Sequence, residues 1–219
     1  MIIIKGYLFS YLYVVGILAA VFAVNKLSKA QGDVLRKPVH VLVAFTWLIL
    51  CKYLYGTWHF VILPLTFVVI LAVCTKYSLL KIIERDTGSK KDFGIIHYAI
   101  SMTLICAVAA LFPATLITCG IGVFALSFGD GAASIFGEAF RKTNMHITKT
   151  KTLVGTIACF IFAIVGIFVF RLFIPFQIGI VHLLIIGFVA AFMEVIGGCY
   201  DNYTVPFGAM VTTIILTIC

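Results

Sequence analysis

Four carboxylates stand where the chain offers little solvent. Asp130, Glu138, Glu194 and Asp201 lie in or beside long runs of Val, Ile, Leu and Phe, whereas Asp33, Glu84, Asp86 and Asp92 fall in polar breaks. An ionised carboxylate near hydrocarbon costs several kcal/mol, so such a group usually faces a cavity and holds a cation, a proton or a partner charge. Glu194 follows a stretch of mostly apolar residues and has no ordinary structural explanation. Asp201-Asn202, behind Gly197-Gly198 and ahead of Pro206, also reads as a turn or cap for a following helix.

Around the first of these acids, small residues recur at Gly129, Ala133 and Gly137. Steps of four share a helix face, and glycines alone read as a small-x-x-x-small helix contact. The adjacent Asp130 adds a second reading, a surface that phosphate can approach closely beside a Mg²⁺ ligand. Mg²⁺ takes one or two carboxylates and completes its shell with phosphate oxygens and water. Downstream, Lys149, Lys151 and Thr152 precede an apolar run that opens through Gly155. A helix N-terminus flanked by lysines and a hydroxyl is an anion site. The same residues also serve as a membrane-edge anchor with a threonine N-cap. A further cationic cluster, Arg36-Lys37-Pro38-Val39-His40, offers a bidentate fork and a mobile point charge to phosphate. It too reads as an anchor at a helix entry, with His40 structural. His59, His97, His146 and His182 show no metal-type spacing and receive no role.

The elements that must carry these groups are membrane helices. Of 219 residues, 63% are apolar and 11% charged, and the mean hydropathy is +1.19. A soluble globular domain has roughly 45–50% apolar and 25% charged residues, and is excluded. Spanning helices need roughly 20 apolar residues each. The apolar runs place spans near 6–24, 39–55, 58–74, 95–112, 114–128, 153–173, 178–195 and 206–219. The expectation is an all-α polytopic integral membrane protein of about eight spans, between seven and nine, forming a single membrane-embedded domain over 1–219. The loops leave no room for a soluble catalytic domain, so any chemistry falls to helix ends and short loops, and a lipid substrate follows.

Net charge is +8, and thirteen of the 16 cations fall within 26–37, 76–91 and 141–151. With eight spans these stretches, and the segment after span seven, share one side, which the positive-inside rule makes cytosolic. Orientation and anionic headgroups account for such runs between hydrophobic helices, and no nucleic-acid partner is expected. The seven cysteines form no Cys-x-x-Cys pair. Neither disulfides nor a thiolate metal site are expected. Cleavage of the first helix as a signal peptide is not expected, because it would send the first cationic stretch outward.

Taken together, Arg36-Lys37 with His40, Gly129-Asp130 with Ala133 and Gly137, Lys151-Thr152 with Gly155, and Glu194 followed by Asp201-Asn202 and Pro206 resemble the CTP-dependent lipid-alcohol kinases. That family includes dolichol kinase, phytol kinase and the CTP-dependent diacylglycerol kinase, and is similar in turn to the phosphatidate cytidylyltransferases. The chain departs from the family pattern at Arg141, where a further glycine is common, and at Val154.

The resemblance implies transfer of the γ-phosphoryl group of CTP to the hydroxyl of a polyprenol, phytol or diacylglycerol at the cytosolic face. It implies Mg²⁺ on Asp130 and Asp201, with Glu194 or Asp201 orienting the hydroxyl or helping to hold the metal. Phosphate falls to Arg36, Lys37, Gly129, Gly137, Lys149, Lys151, Thr152 and Gly155, with His40 and Asn202 in support. The acceptor, the choice of CTP over ATP, the base and the oligomeric state stay open. A cytidylyltransferase could use the same residues, joining CMP to a lipid phosphate. An ion-coupled transporter would instead place its polar groups near the bilayer midplane, and an inactive scaffold would leave the carboxylates without purpose.

Overall fold

A computed structural model describes residues 1–29, 32–79, 93–141, 145–148 and 150–218. Among these residues the chain is helical, with no strand longer than one isolated bridge. Seven helical stretches are long and apolar enough to cross a membrane. The all-α polytopic membrane architecture expected from hydropathy is therefore the fold of this protein. The chain divides into two compact units, Met1–Pro113 and Ala114–Cys219.

The first unit holds α1 (Ile2–Ser28), α2 (Asp33–Ala44), α3 (Thr46–Tyr53), α4 (His59–Lys76) and α5 (Gly94–Leu111). Helix α1 packs on α3 and α2, and α4 packs on α5. The expected second span is two helices, because the ladder lapses at Phe45, where the Thr46 hydroxyl donates to the Val43 carbonyl at 2.7 Å. At the centre of the unit, Trp47 and Phe60 meet edge to face with ring centroids 5.1 Å apart. Polar pairs also cross between helices, Tyr7 with His59 Nδ1 at 2.8 Å and Tyr11 with Thr66 at 2.7 Å. In lipid such bonds replace the hydrophobic effect as a reason for helices to associate.

The second unit holds α6 (Leu116–Ala139), α7 (Leu153–Phe173), α8 (Ile180–Gly197) and α9 (Asp201–Ile218). Helices α6 and α7 run antiparallel, as the pairing of Gly129 with Cys159 and Ala163, and of Gly137 with Gly155, requires. Helices α8 and α9 form a tight antiparallel pair within the single apolar stretch Ile180–Thr217. Their reversal is at Gly198, whose φ of 56° suits a residue without Cβ. The Thr204 hydroxyl donates to the Met193 carbonyl at 2.9 Å and pins the two together. Antiparallel neighbours bring the C-terminal ends of α6 and α8 beside the N-terminal ends of α7 and α9.

Three helix boundaries differ from the sequence reading, two of them at the site. Helix α6 runs eleven residues past the expected end at 128, to Ala139, so Asp130 lies within the helix. The Gly and Ser residues of this segment are poor helix formers in isolation, but tertiary packing against α7 overrides propensity. Helix α9 begins at Asp201 instead of near Pro206, and α2 begins at Asp33, ahead of Pro38. Each prolines lies inside its helix, and each helix opens on an aspartate, whose charge suits the positive end of the helix dipole.

Candidate functional site

Two carboxylates from two helices pair with one ammonium in the second unit, and a third, on another helix, lies near enough to attract it. Lys151 lies two residues before α7, and its Nζ is 2.5 Å from Glu194 Oε1 near the end of α8. It also donates to Asp201 Oδ2, in the first turn of α9, at 2.7 Å. The Asp130 carboxylate on α6 adds its attraction to the same ammonium. Asp130 and Glu194 are each only 2% exposed. Burial pushes the Lys151 pKa down, but attraction to Asp201, Glu194 and Asp130 outweighs it, so the pKa rises above its ordinary value and the ammonium stays charged.

Lys151 is held there by its own loop. Backbone N–H groups of Ile147 and Thr148 donate to the Lys151 carbonyl at 2.9 and 3.2 Å, and Leu153 N–H donates to the Met145 carbonyl at 2.9 Å. The Thr148 hydroxyl accepts from the Lys151 N–H at 3.1 Å. Thr152 then caps α7, its hydroxyl accepting from Gly155 N–H at 3.2 Å, which is the threonine N-cap proposed for it. Thr148 carries no role in the sequence reading. Its spacing of three before Lys151 is the local signal, since Ser and Thr hydroxyls bond to backbone a few residues on.

The glycines serve the contact between helices. A Cβ on Gly129 would meet Cys159 Sγ at 3.1 Å and Ala163 at 3.3 Å, and one on Gly155 would meet the Ala133 carbonyl at 2.9 Å. Gly137 faces Thr152 and Gly155. Of the two readings open for this stripe, these contacts are those of the small-x-x-x-small packing of helix on helix. By letting α6 and α7 approach closely, the same residues bring Asp130 toward Lys151.

Glu138 does not join the cluster. It is exposed at the end of α6 and pairs with Arg141 at 3.2 Å, one helical turn away. Asn202 is buried beside Asp201 at the start of α9. Lys149 lies outside the described residues. Arg36, Lys37 and His40 belong to the first unit, all buried on α2. There Arg36 pairs with Asp33 at 2.8 Å. His40 stacks on Tyr98 with centroids 4.2 Å apart, and the Tyr98 hydroxyl donates to the His40 carbonyl at 3.0 Å.

Among the described residues, no three His, Cys, Asp or Glu side chains are grouped to hold a metal ion by themselves. The cluster is instead a set of carboxylates, Asp130 and Glu194 buried and Asp201 partly so, whose charge is met by the Lys151 ammonium.

The chain matches no protein-family model, no curated protein and no solved structure. Fold and site together define a multi-pass helical membrane protein whose second unit carries a buried cluster of carboxylates around a lysine.

Proposed function

We propose that this protein is a CTP-dependent lipid kinase, which transfers the γ-phosphoryl group of CTP to the hydroxyl of a membrane lipid alcohol at the cytosolic face. The observation that carries the reading is the pairing of Glu194 and Asp201 with Lys151, with Asp130 near enough to attract the same ammonium, from four separate segments of sequence. Phosphoryl transfer needs positioning and charge neutralisation more than covalent chemistry from the protein. A lysine among carboxylates provides both signs of charge within one small volume.

In this reading the nucleotide arrives as its Mg²⁺ complex, a substrate that brings most of its own metal ligands as phosphate oxygens. Asp130 and Asp201 would take the metal, which supplies neutralisation of the phosphate charge. Lys151 exchanges one carboxylate partner for a phosphate oxygen, and the capped start of α7 at Thr152 offers further donors. Gly129, Gly137 and Gly155 act by holding α6 against α7. Arg36, Lys37 and His40 are not used in this reading. The acceptor is a lipid alcohol of the polyprenol, phytol or diacylglycerol class.

The test is purified protein in detergent with Mg²⁺, γ-labelled CTP or ATP, and a panel of lipid alcohols, with a lipid phosphate as acceptor in a parallel arm. Label is expected in lipid with CTP as donor, and Asp130→Asn is expected to abolish it while leaving the thermal transition in place. Label released as pyrophosphate would favour a cytidylyltransferase, and retained activity in Asp130→Asn would refute the metal role. A transporter would need its polar groups near the bilayer midplane. Here Lys151, Glu194 and Asp201 lie at helix ends, which supports surface chemistry, while Asp130 lies within α6.

A further inference from the structure

Building on the kinase reading, we infer that Glu194 is the residue that receives the acceptor lipid, its Oε2 taking the hydrogen of the hydroxyl that is phosphorylated. Glu194 divides its two oxygens between different tasks. Oε1 is engaged with the Lys151 ammonium, while Oε2 is buried and finds no hydrogen-bond donor among the described residues. The amide oxygen of Asn202, close by on the chain at the start of α9, is also buried without a donor. A buried acceptor left without its donor costs roughly 1–3 kcal/mol. Acceptors kept in that state call for a ligand that brings a hydrogen or a cation, and in the kinase reading the cation is already taken by Asp130 and Asp201. A phosphate, which offers oxygens to this site, cannot meet the need, whereas an alcohol can.

The surroundings of Glu194 indicate the depth at which that alcohol is met. On the same helix Phe188, Phe192 and Ile196 are exposed apolar side chains. With a spacing of four they form one outward stripe suited to lipid tails. Glu194 points the other way, into the unit, at the level where this stripe ends. The stripe lies on the opposite face of α8 and marks the depth of the lipid, so an alcohol held at that depth is level with Glu194, while Asp130 and Lys151 lie on the elements left for the nucleotide.

The step balances as follows. The lipid oxygen forms a bond to the γ-phosphorus as the bond from that phosphorus to the β,γ-bridging oxygen breaks, its electron pair leaving on CDP. The hydroxyl proton passes to Glu194 Oε2 and from there to water, giving CDP, lipid phosphate and one proton.

The experiment separates the two substrates. Affinity for Mn²⁺-CTP is measured by paramagnetic resonance in wild type and Glu194→Gln, together with kcat and KM for a lipid alcohol and the Ki of the methyl ether of the same lipid. The amide oxygen of Glu194→Gln still accepts from the Lys151 ammonium, so its Mn²⁺-CTP Kd is expected to change by less than about tenfold. Its turnover with lipid should fall about 100-fold or more, the lower range for loss of a proton acceptor. In wild type the methyl ether, which has no hydrogen to give, is expected to bind at least tenfold more weakly than the alcohol. This wild-type comparison stands even if the variant fails to fold. Unaltered lipid turnover in a folded Glu194→Gln, a tenfold or greater loss of Mn²⁺-CTP affinity, or equal binding of ether and alcohol would each overturn the assignment. Wild-type protein that labels no lipid alcohol would overturn the kinase reading itself, a result distinct from all three.

Discussion

Lys151 is the residue on which the site turns, because it neutralises carboxylates that could not otherwise share so small a buried volume. Removing one member of a buried ion pair strands the others, at a cost of about 3–5 kcal/mol. Lys151→Met is therefore expected to destabilise the protein by about 3 kcal/mol, read as a lowered thermal midpoint in detergent. Charge-matched Lys151→Arg should keep most of the stability, yet lose nucleotide affinity if the compact ammonium is what phosphate requires. The pH dependence has a definite sign. The Lys151 pKa lies above its ordinary 10.5, so its contribution to stability is complete below that value and is lost only as pH rises through the higher folded value. The difference in midpoint between wild type and Lys151→Met should accordingly be flat from about pH 7 to 9. A difference that shrank across that range would mean that the ammonium is not held by the three acids.

Helix pairing in the second unit is set by where side chains are missing. A Cβ on Gly166 of α7 would lie 2.5 Å from the Phe124 carbonyl oxygen and 2.9 Å from Phe128 Cβ. Backbone cannot yield as a flexible side chain can, so Gly166→Ala is expected to cost about 1–3 kcal/mol through overpacking. Gly16 on α1 has nothing within 4 Å of the same construction. Gly16→Ala should be neutral or slightly stabilising, since alanine is the better helix former. Thermal midpoints of the two variants, measured side by side, check the contrast. The small-residue pattern at Gly129, Ala133 and Gly137 was visible in the sequence, together with both of its uses. Which use holds depended on what faces it, and Cys159 and Ala163 are supplied by a different apolar run in which only Gly155 stood out. Helix ends were hidden for a related reason. Pro38 and Pro206 look like starts by local rules, but an aspartate one turn or more earlier opens each helix.

Across the molecule, orientation is the property that hydropathy and charge predict and that a membrane experiment can check. Cys199 is exposed at the turn between α8 and α9, two residues before Asp201, whereas Cys106, Cys119 and Cys159 are buried. An impermeant maleimide is expected to label Cys199 in inside-out vesicles and not in sealed right-side-out ones; the reverse pattern would put the cluster on the far side of the membrane. Hydropathy alone is enough to assign a bilayer protein, its helices and the acids that need explaining, because each depends on an average over some 20 neighbouring residues or on one costly group within it. It does not select among the partners. Lys151 and Asp201 are 50 residues apart, and many lysines in the chain have equal local credentials. Packing chose Lys151 and left Glu138 to an exposed pair with Arg141. The meeting of distant side chains is fixed by the depth and closeness at which helices pack, which depend on side-chain volumes on both partners at once, and no single stretch of the chain contains that information.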